Sequence, residues 1–233
     1  MRALLLLLVA SRMAPAAPPK VMLWAWERPG DLRALPAGAG VAFLAATVTL
    51  IDGEVETMPR FQPLRLPRGA YRMAVVRVAA PGAVSEATQL RPAVDAIADV
   101  AATARADALQ IDFDAGASQL PFYRALLGQV RARLGKGLFL SMTALVSWCG
   151  PDSWMRGLPV NEIVPMTFEM GGAAPAIEAR LRSGGKLESP LCRASIGVAE
   201  QDLAARPRAL RTYVFAYRDW TEEAVRAVLE RTR

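Results

Sequence analysis

Asp107-Ala108-Leu109-Gln110-Ile111-Asp112-Phe113-Asp114 is a stretch of strand length that carries two carboxylates at its C-terminal end. Side chains alternate between the two faces of a strand, so its apolar residues share one face and Gln110, Asp112 and Asp114 share the other. The apolar face is suited to packing under helices. The opposite face places carboxylates on an interior wall, where an unpaired charge is costly. The stretch therefore predicts carboxylates that are paired, catalytic or both.

Apolar runs of similar length recur on both sides of this stretch, with helix-like segments between several of them. Together they predict eight strands: Val21–Trp26, Val41–Leu50, Arg72–Ala79, Ala108–Asp114, Leu138–Leu145, Ile163–Glu169, Ala194–Ala199 and Thr212–Tyr217. Helices are predicted at Ser85–Ala104, Ser118–Leu134, Ala174–Ser183 and Thr221–Arg233. Strands that alternate with helices indicate a parallel sheet covered by helices.

Eight such strands favour closure of the sheet. We therefore predict an α/β fold, a compact (β/α)8 TIM-type barrel with several reduced helices. The links after the first, second and fifth strands are too short or too rich in Pro and Gly for full helices. An open doubly wound sheet is the alternative, but no glycine fingerprint follows the first strand, and the glycines at Gly38 and Gly40 precede a strand instead.

The N-terminus has the pattern of an export signal. Arg2 is followed by an apolar core at Ala3–Ala10 and by the small residues Ala14-Pro15-Ala16. We predict a signal peptide at 1–17, a single barrel domain at 18–233, and a periplasmic or secreted location. No later apolar stretch approaches the roughly 20 residues that span a bilayer, so we expect no stable membrane insertion of the mature chain.

Composition excludes several functional classes. Histidine is absent, which removes Ser-His-Asp and Cys-His catalysis and the common histidine-based zinc sites. The net charge is +6, and all but three of the 28 basic residues are arginine, but they are scattered instead of forming the stripe that tracks phosphates. We therefore expect no nucleic-acid partner, no cofactor and no metal. Acid–base chemistry would fall to other side chains, carboxylates foremost.

Cys149 and Cys192 are the only cysteines, and an even number in an exported chain is typical of a disulfide. The predicted strands argue against it. Cys149 follows one strand and Cys192 precedes another, so they belong to opposite ends of a parallel sheet, whereas a bridge requires Cα atoms within about 7 Å. The two interpretations remain open.

The C-terminal ends of barrel strands carry the chemistry in this fold. In this chain those ends provide carboxylates and aromatic rings, which are the groups that a glycoside site requires. The candidate catalytic residues are Asp112, Asp114 and Glu169. The candidate substrate-binding residues are Trp26, Arg77, Thr143, Trp148 and Tyr217. We predict a carbohydrate ligand.

Two motifs resemble those of the chitinase-like glycoside hydrolases. That family carries Asp-x-x-Asp-x-Asp-x-Glu on its fourth barrel strand and Met-x-Tyr-Asp on its sixth. This chain has Asp107-x-x-Gln110-x-Asp112-x-Asp114 on its fourth predicted strand and Met166-Thr167-Phe168-Glu169 on its sixth. The resemblance implies that Asp114 occupies the position of the general acid.

The departures from those motifs change the implied mechanism. Asp114 is one methylene shorter than the family's glutamate. Gln110 replaces an aspartate that would share a proton with its neighbour. Phe168 replaces the tyrosine that helps to hold a substrate N-acetyl group. The pattern therefore argues against substrate-assisted cleavage and leaves two-carboxylate hydrolysis, with Glu169 or Asp112 as the partner of Asp114.

The chain also resembles a bacterial family of exported proteins of unknown function. That resemblance covers nearly the whole mature chain and depends on Trp26-Glu27-Arg28-Pro29-x-Asp31-Leu32, the Gln110–Ala115 stretch, Ser147-Trp148-Cys149 and the strand around Pro165-Met166. It implies no particular activity.

Three functions remain open on the sequence. The first is an exported barrel enzyme that hydrolyses or remodels an envelope or extracellular glycan. The second is a lectin-like barrel that binds carbohydrate and has lost its acid. The third is a structural envelope component, in which arginines would neutralise the mouth carboxylates, as Arg77 would if it formed an ion pair with Asp112.

Overall fold

The computed structural model describes residues 16–151, 153–170, 172, 174–183, 186–207 and 209–232. The predicted signal peptide therefore lies almost entirely outside the described residues. The strands in chain order are β1 (Val21–Ala25), β2 (Gly30–Asp31), β3 (Ala39–Ile51), β4 (Glu54–Pro59), β5 (Leu64–Arg65), β6 (Tyr71–Ala79), β7 (Ala108–Asp112), β8 (Phe139–Leu145), β9 (Glu162–Met166), β10 (Ser195–Ala199) and β11 (Arg211–Phe215).

Eight of these strands form a closed parallel barrel. Its order is β1-β3-β6-β7-β8-β9-β10-β11, and β1 closes the ring by pairing with both β3 and β11. All eight neighbouring pairs are parallel. The predicted (β/α)8 barrel is thus confirmed, and each of its strands coincides with a predicted one.

One hairpin was not predicted. β3 continues past β1 and turns back at Asp52 and Gly53 into the antiparallel strand β4. Both turn residues have positive φ, 50° and 82°, which suits the tight turns that join two hairpin strands. The hairpin occupies the position of the reduced second helix.

The described residues form four α-helices outside the barrel: α1 (Arg91–Thr103), α2 (Leu120–Leu134), α3 (Ala174–Arg182) and α4 (Glu222–Arg231). Each falls within a predicted helix, and a π-helical segment, Glu86–Leu90, precedes α1. α4 starts where expected, because the Thr221 side chain accepts a hydrogen bond from the backbone N–H of Ala224. No helix of the described part of the chain has both the length and the apolar character needed to cross a bilayer.

A disulfide joins Cys149 and Cys192, whose Cα atoms lie 5.9 Å apart. After β8 the chain makes a single helical turn, Val146–Cys149, and the turn Pro190–Cys192 precedes β10. Both turns contact β9, which lies between those strands, and the backbone N–H of Ser189 donates to the carbonyl of Cys149 at 2.8 Å. The bridge thus crosses the outside of the barrel, a route that the strand pattern alone argued against.

Apolar residues pack in two layers, as the alternation of the opening stretch predicts. Leu109, Ile111 and Phe113 belong to the outer layer between the strands and the helices, where Tyr123 of α2 is also buried. The interior of the barrel holds a second, smaller cluster that includes Met22, Trp24, Met73, Val75, Phe139, Val164 and Tyr213.

A buried glutamate occupies the N-terminal part of the barrel interior. The Glu162 carboxylate forms an ion pair with Arg211 and accepts hydrogen bonds from Ser195, from Ser141 at 3.1 Å and from the Tyr213 hydroxyl at 2.6 Å. Several donors on one buried charge offset the cost of removing it from water. This network fills the end of the barrel opposite the candidate site.

Candidate functional site

The C-terminal ends of the strands surround a cleft of about 560 Å³. It lies where the chemistry of this fold is expected. Six of the predicted site residues line it: Trp26, Arg77, Asp112, Asp114, Glu169 and Tyr217. The other lining residues are Trp24, Arg28, Leu145, Val146, Ser147, Met166, Phe168, Met170 and Phe215.

Asp112 forms the floor of this cleft. It ends β7, is 5% exposed, and accepts a hydrogen bond from the hydroxyl of Thr143 on β8 at 2.7 Å. Burial raises the pKa of Asp112 to about 6, with a further increase from the carboxylate of Asp114, while the Thr143 hydrogen bond and the charge of Arg77 oppose the rise. Thr143 therefore acts on the site by holding Asp112.

Asp114 lies two residues beyond the end of β7 and is exposed at the mouth. Partial desolvation within the mouth raises the pKa of its carboxyl group; the guanidinium of Arg77 opposes the rise and the Glu169 carboxylate adds to it. A carboxyl group with a raised pKa at an open position is suited to donate a proton. Asp114 is the carboxyl group of the cleft that best combines access with this property.

Glu169 reaches the cleft from the loop that follows β9. Its φ is 53°, in the left-handed region that residues other than glycine seldom adopt. Such conformations are unfavourable and are found disproportionately at functional sites. Glu169 and Tyr217 both line the cleft at its mouth. Burial raises the pKa of Tyr217, and the carboxylate of Glu169 raises it further.

Arg77 does not neutralise the carboxylates directly. It pairs in register with Asp112 across β6 and β7, but its guanidinium lies over the ring of Trp26, 5.1 Å from the centroid. In the described residues, no ion pair joins an arginine or lysine to Asp112, Asp114 or Glu169. The alternative of an Arg77–Asp112 ion pair is therefore wrong; Asp112 bonds to the hydroxyl of Thr143 instead.

An aromatic wall completes the cleft. Trp24 contacts Trp26 and Phe215 edge to face, at 5.8 and 5.7 Å between ring centroids. Phe168 stacks on Phe215 at 5.1 Å and 11°, and Tyr217 packs edge-on against the same ring. Tyr217 is 40% exposed, so it presents part of this wall to a ligand. Aromatic faces beside carboxylates are suited to pyranose rings, which have apolar faces.

Trp148, a candidate substrate-binding residue, does not lie in the cleft. The helical turn Val146–Cys149 carries Trp148 to the outside of the barrel, where it contacts Tyr123 and Trp154 at 6.3 and 5.2 Å between ring centroids. The disulfide at Cys149 holds this turn against the barrel. Trp148 therefore packs in the outer layer and does not line the cleft.

Sequence reasoning missed several lining residues. Arg28 donates a hydrogen bond to the carbonyl of Tyr217 and so ties the loop after β1 to the loop after β11. Trp24 is 5% exposed and also contributes to the cleft wall. Position near a strand end was the available signal for both. No group of three or more acidic or cysteine side chains of the described residues is arranged to hold a metal ion.

Comparison with known proteins gives a match to a family model. A family model described as a domain of unknown function, DUF3142, matches residues 68–158, which is less than half of the chain. The matched segment includes β6, β7 and β8 and therefore Arg77, Asp112, Asp114 and Thr143. No curated protein and no solved structure matches the chain.

Proposed function

We propose that this protein is a glycoside hydrolase-like enzyme that acts on an envelope or extracellular glycan by carboxylate acid–base chemistry. The observation that carries the proposal is the pair of accessible carboxyl groups, Asp114 and Glu169, beside an aromatic wall at the C-terminal mouth of the barrel. Glycoside hydrolysis needs two carboxyl groups flanking the scissile bond, one of which donates a proton to the leaving oxygen.

The roles follow from the environments of the carboxyl groups. Asp114, whose pKa is raised, is the proton donor. Glu169, the other accessible carboxyl group of the mouth, is the second carboxylate, which either activates water or attacks the sugar carbon. Asp112 lies at the buried floor against Thr143, where burial and the Asp114 carboxylate raise its pKa.

Export to the periplasm or the exterior is part of the proposal. The Cys149–Cys192 disulfide supports it, because disulfides form and persist in oxidising compartments. The N-terminal sequence pattern supports it independently.

The test is hydrolysis of a panel of envelope and extracellular polysaccharides, measured as reducing ends released. Asp114→Asn removes the transferable proton and keeps the side-chain shape, so the rate should fall at least about 100-fold, the usual contribution of a general acid. The melting temperature should stay nearly unchanged, because Asp114 is exposed. The matched control is Asp99→Asn, at an exposed position on α1, which should keep the wild-type rate. A wild-type rate in Asp114→Asn would remove Asp114 as the acid.

A lectin-like barrel is the second candidate. It is favoured by the stacked pair Phe168 and Phe215, since Phe168 stands where the resembling family has a tyrosine that contacts substrate. This candidate predicts no release of reducing ends by the wild type. Glycan binding should then survive Asp114→Asn and fall on Trp26→Ala, because the latter removes an aromatic face of the cleft. A structural role alone is disfavoured, because no arginine of the described residues forms an ion pair with a mouth carboxylate.

A further inference from the structure

A second cavity of about 480 Å³ adjoins the cleft. The two share Phe168, Glu169, Met170 and Tyr217 as lining residues, so they meet along this edge. The second cavity continues away from the barrel axis, over the ends of β9, β10 and β11. Single ligand pockets usually measure ~300–1,000 Å³. The two cavities together therefore offer more room than one sugar ring fills.

The walls of the second cavity are held by the fold. Thr167 binds the loop after β9 to β10: its backbone N–H and its hydroxyl donate to the carbonyl of Gly197 at 2.8 and 2.9 Å. The opposite wall is the short helix Glu200–Ala205, which is anchored by the fully buried side chain of Leu203. The shape of the cavity is thus set before any ligand binds.

Polar groups suited to a sugar lie on this wall. Gln201 and Asp202 line the cavity from exposed positions on the short helix. Arg206 also lines the cavity. Its Nη1 donates to the carbonyls of Leu203 and Arg231 at 2.8 and 2.9 Å, so these hydrogen bonds stabilise the cavity wall. Amide and carboxylate side chains are the usual partners of sugar hydroxyls, which both donate and accept.

We propose that the second cavity is a subsite for the continuing chain of a linear oligosaccharide. This inference rests on the proposed function. The ligand crosses from the cleft into the second cavity over Glu169 and Tyr217, so Glu169 faces the linkage between two sugars instead of the end of the chain. The protein therefore acts on a linkage between two sugars of a polymer. It binds longer oligomers more tightly than single sugars.

The test is binding of oligosaccharides of increasing length, prepared from the polysaccharide that the protein cleaves or binds. Asp114→Asn serves as the parent protein, so that no ligand is consumed. Ala205→Trp fills the second cavity from its wall and should weaken binding of long oligomers at least tenfold. Affinity for the shortest bound oligomer should stay within about threefold, because that oligomer occupies the cleft alone.

Ala204→Trp is the matched control, since Ala204 is the neighbouring exposed residue of the same helix and lines neither cavity. It should leave every affinity unchanged. Gln201→Trp fills the same cavity from another position and replaces Ala205→Trp if that variant does not fold. If affinity does not rise with length, or if Ala205→Trp and Ala204→Trp behave alike, the subsite is wrong while the proposed function stands. If no polysaccharide is bound at all, the proposed function fails and the subsite with it.

Discussion

The fold buries Asp112, and this environment disfavours the ionised form of its carboxyl group. Its pKa is about 6 in the folded protein, against 3.8 for an ordinary aspartate. The folded state therefore binds this proton more tightly than the unfolded chain does. The resulting stabilisation is fully present below about pH 4 and is lost as the pH rises through about 6. Two pKa units correspond to roughly 3 kcal/mol.

Asp112→Asn should remove this dependence on pH. The amide cannot ionise, so the variant should gain up to about 3 kcal/mol in unfolding free energy relative to the wild type between about pH 4 and about pH 8. Denaturant unfolding of both proteins at the two pH values measures the difference. Asp99→Asn, the exposed control, should show a much smaller change. If Asp112→Asn and the wild type differ in unfolding free energy by the same amount at both pH values, the burial argument is wrong.

At the residue scale, the sequence predicted which side chains reach the mouth but not all of their partners. Alternation along the opening stretch placed Asp112 correctly, because a strand fixes the direction of its side chains. Asp114, two residues beyond the end of β7, also lines the cleft. Trp148 follows its strand by three residues and lies in a helical turn, to which the alternation of a strand does not apply. The position of such a residue depends on tertiary contacts that periodicity does not encode.

At the element scale, four strands end earlier than predicted. β1 ends at Ala25 instead of Trp26, β7 at Asp112 instead of Asp114, β9 at Met166 instead of Glu169, and β11 at Phe215 instead of Tyr217. In each case the last residue of the predicted strand lines the cleft. Phe113 and Ala216, beyond two of these strand ends, still pack in the outer layer, and the residue after each lines the cleft. The sequence pattern therefore extends further than the backbone pairing does.

The β3–β4 hairpin has a local signal in the sequence. Asp52-Gly53 lies between two runs that contain β-branched residues and indicates a hairpin, because both turn residues tolerate positive φ. Glu54 and Glu56, which follow the turn, are exposed on β4. The hairpin is therefore predictable from the residues of its turn, without knowledge of tertiary contacts.

The disulfide should contribute substantially to stability. Its cysteines are 43 residues apart, and closing a loop of that length lowers the entropy of the unfolded chain by an amount worth about 4 kcal/mol. The double variant Cys149→Ala/Cys192→Ala should therefore lose about 2–4 kcal/mol of unfolding free energy. Thermal or denaturant unfolding measures it, and wild-type protein in reductant should approach the variant. Equal stability with and without reductant would show that the bridge does not constrain the unfolded chain.

In the whole molecule, the N-terminal half of the barrel interior is packed and the C-terminal half holds the candidate site. The N-terminal half is filled by apolar side chains and by the fully bonded Glu162, whereas the C-terminal half opens into the cleft with carboxylates that arginine does not neutralise. The sequence predicted the closed barrel because eight apolar runs alternate with helices or short links. It did not predict Glu162, whose partners come from β8, β10 and β11 and are far apart in the chain.

Indole N–H resonances report whether the mouth cleft binds a glycan. The five tryptophans give one reporter each. Isotope-labelled Asp114→Asn protein is titrated with oligosaccharides from the polysaccharide panel, so that ligand is bound without being cleaved. Binding in the cleft should shift the resonances of Trp24 and Trp26 and leave those of Trp148, Trp154 and Trp220 in place. If shifts are confined to Trp148 and Trp154, or if no glycan causes a shift, the cleft is not a glycan site.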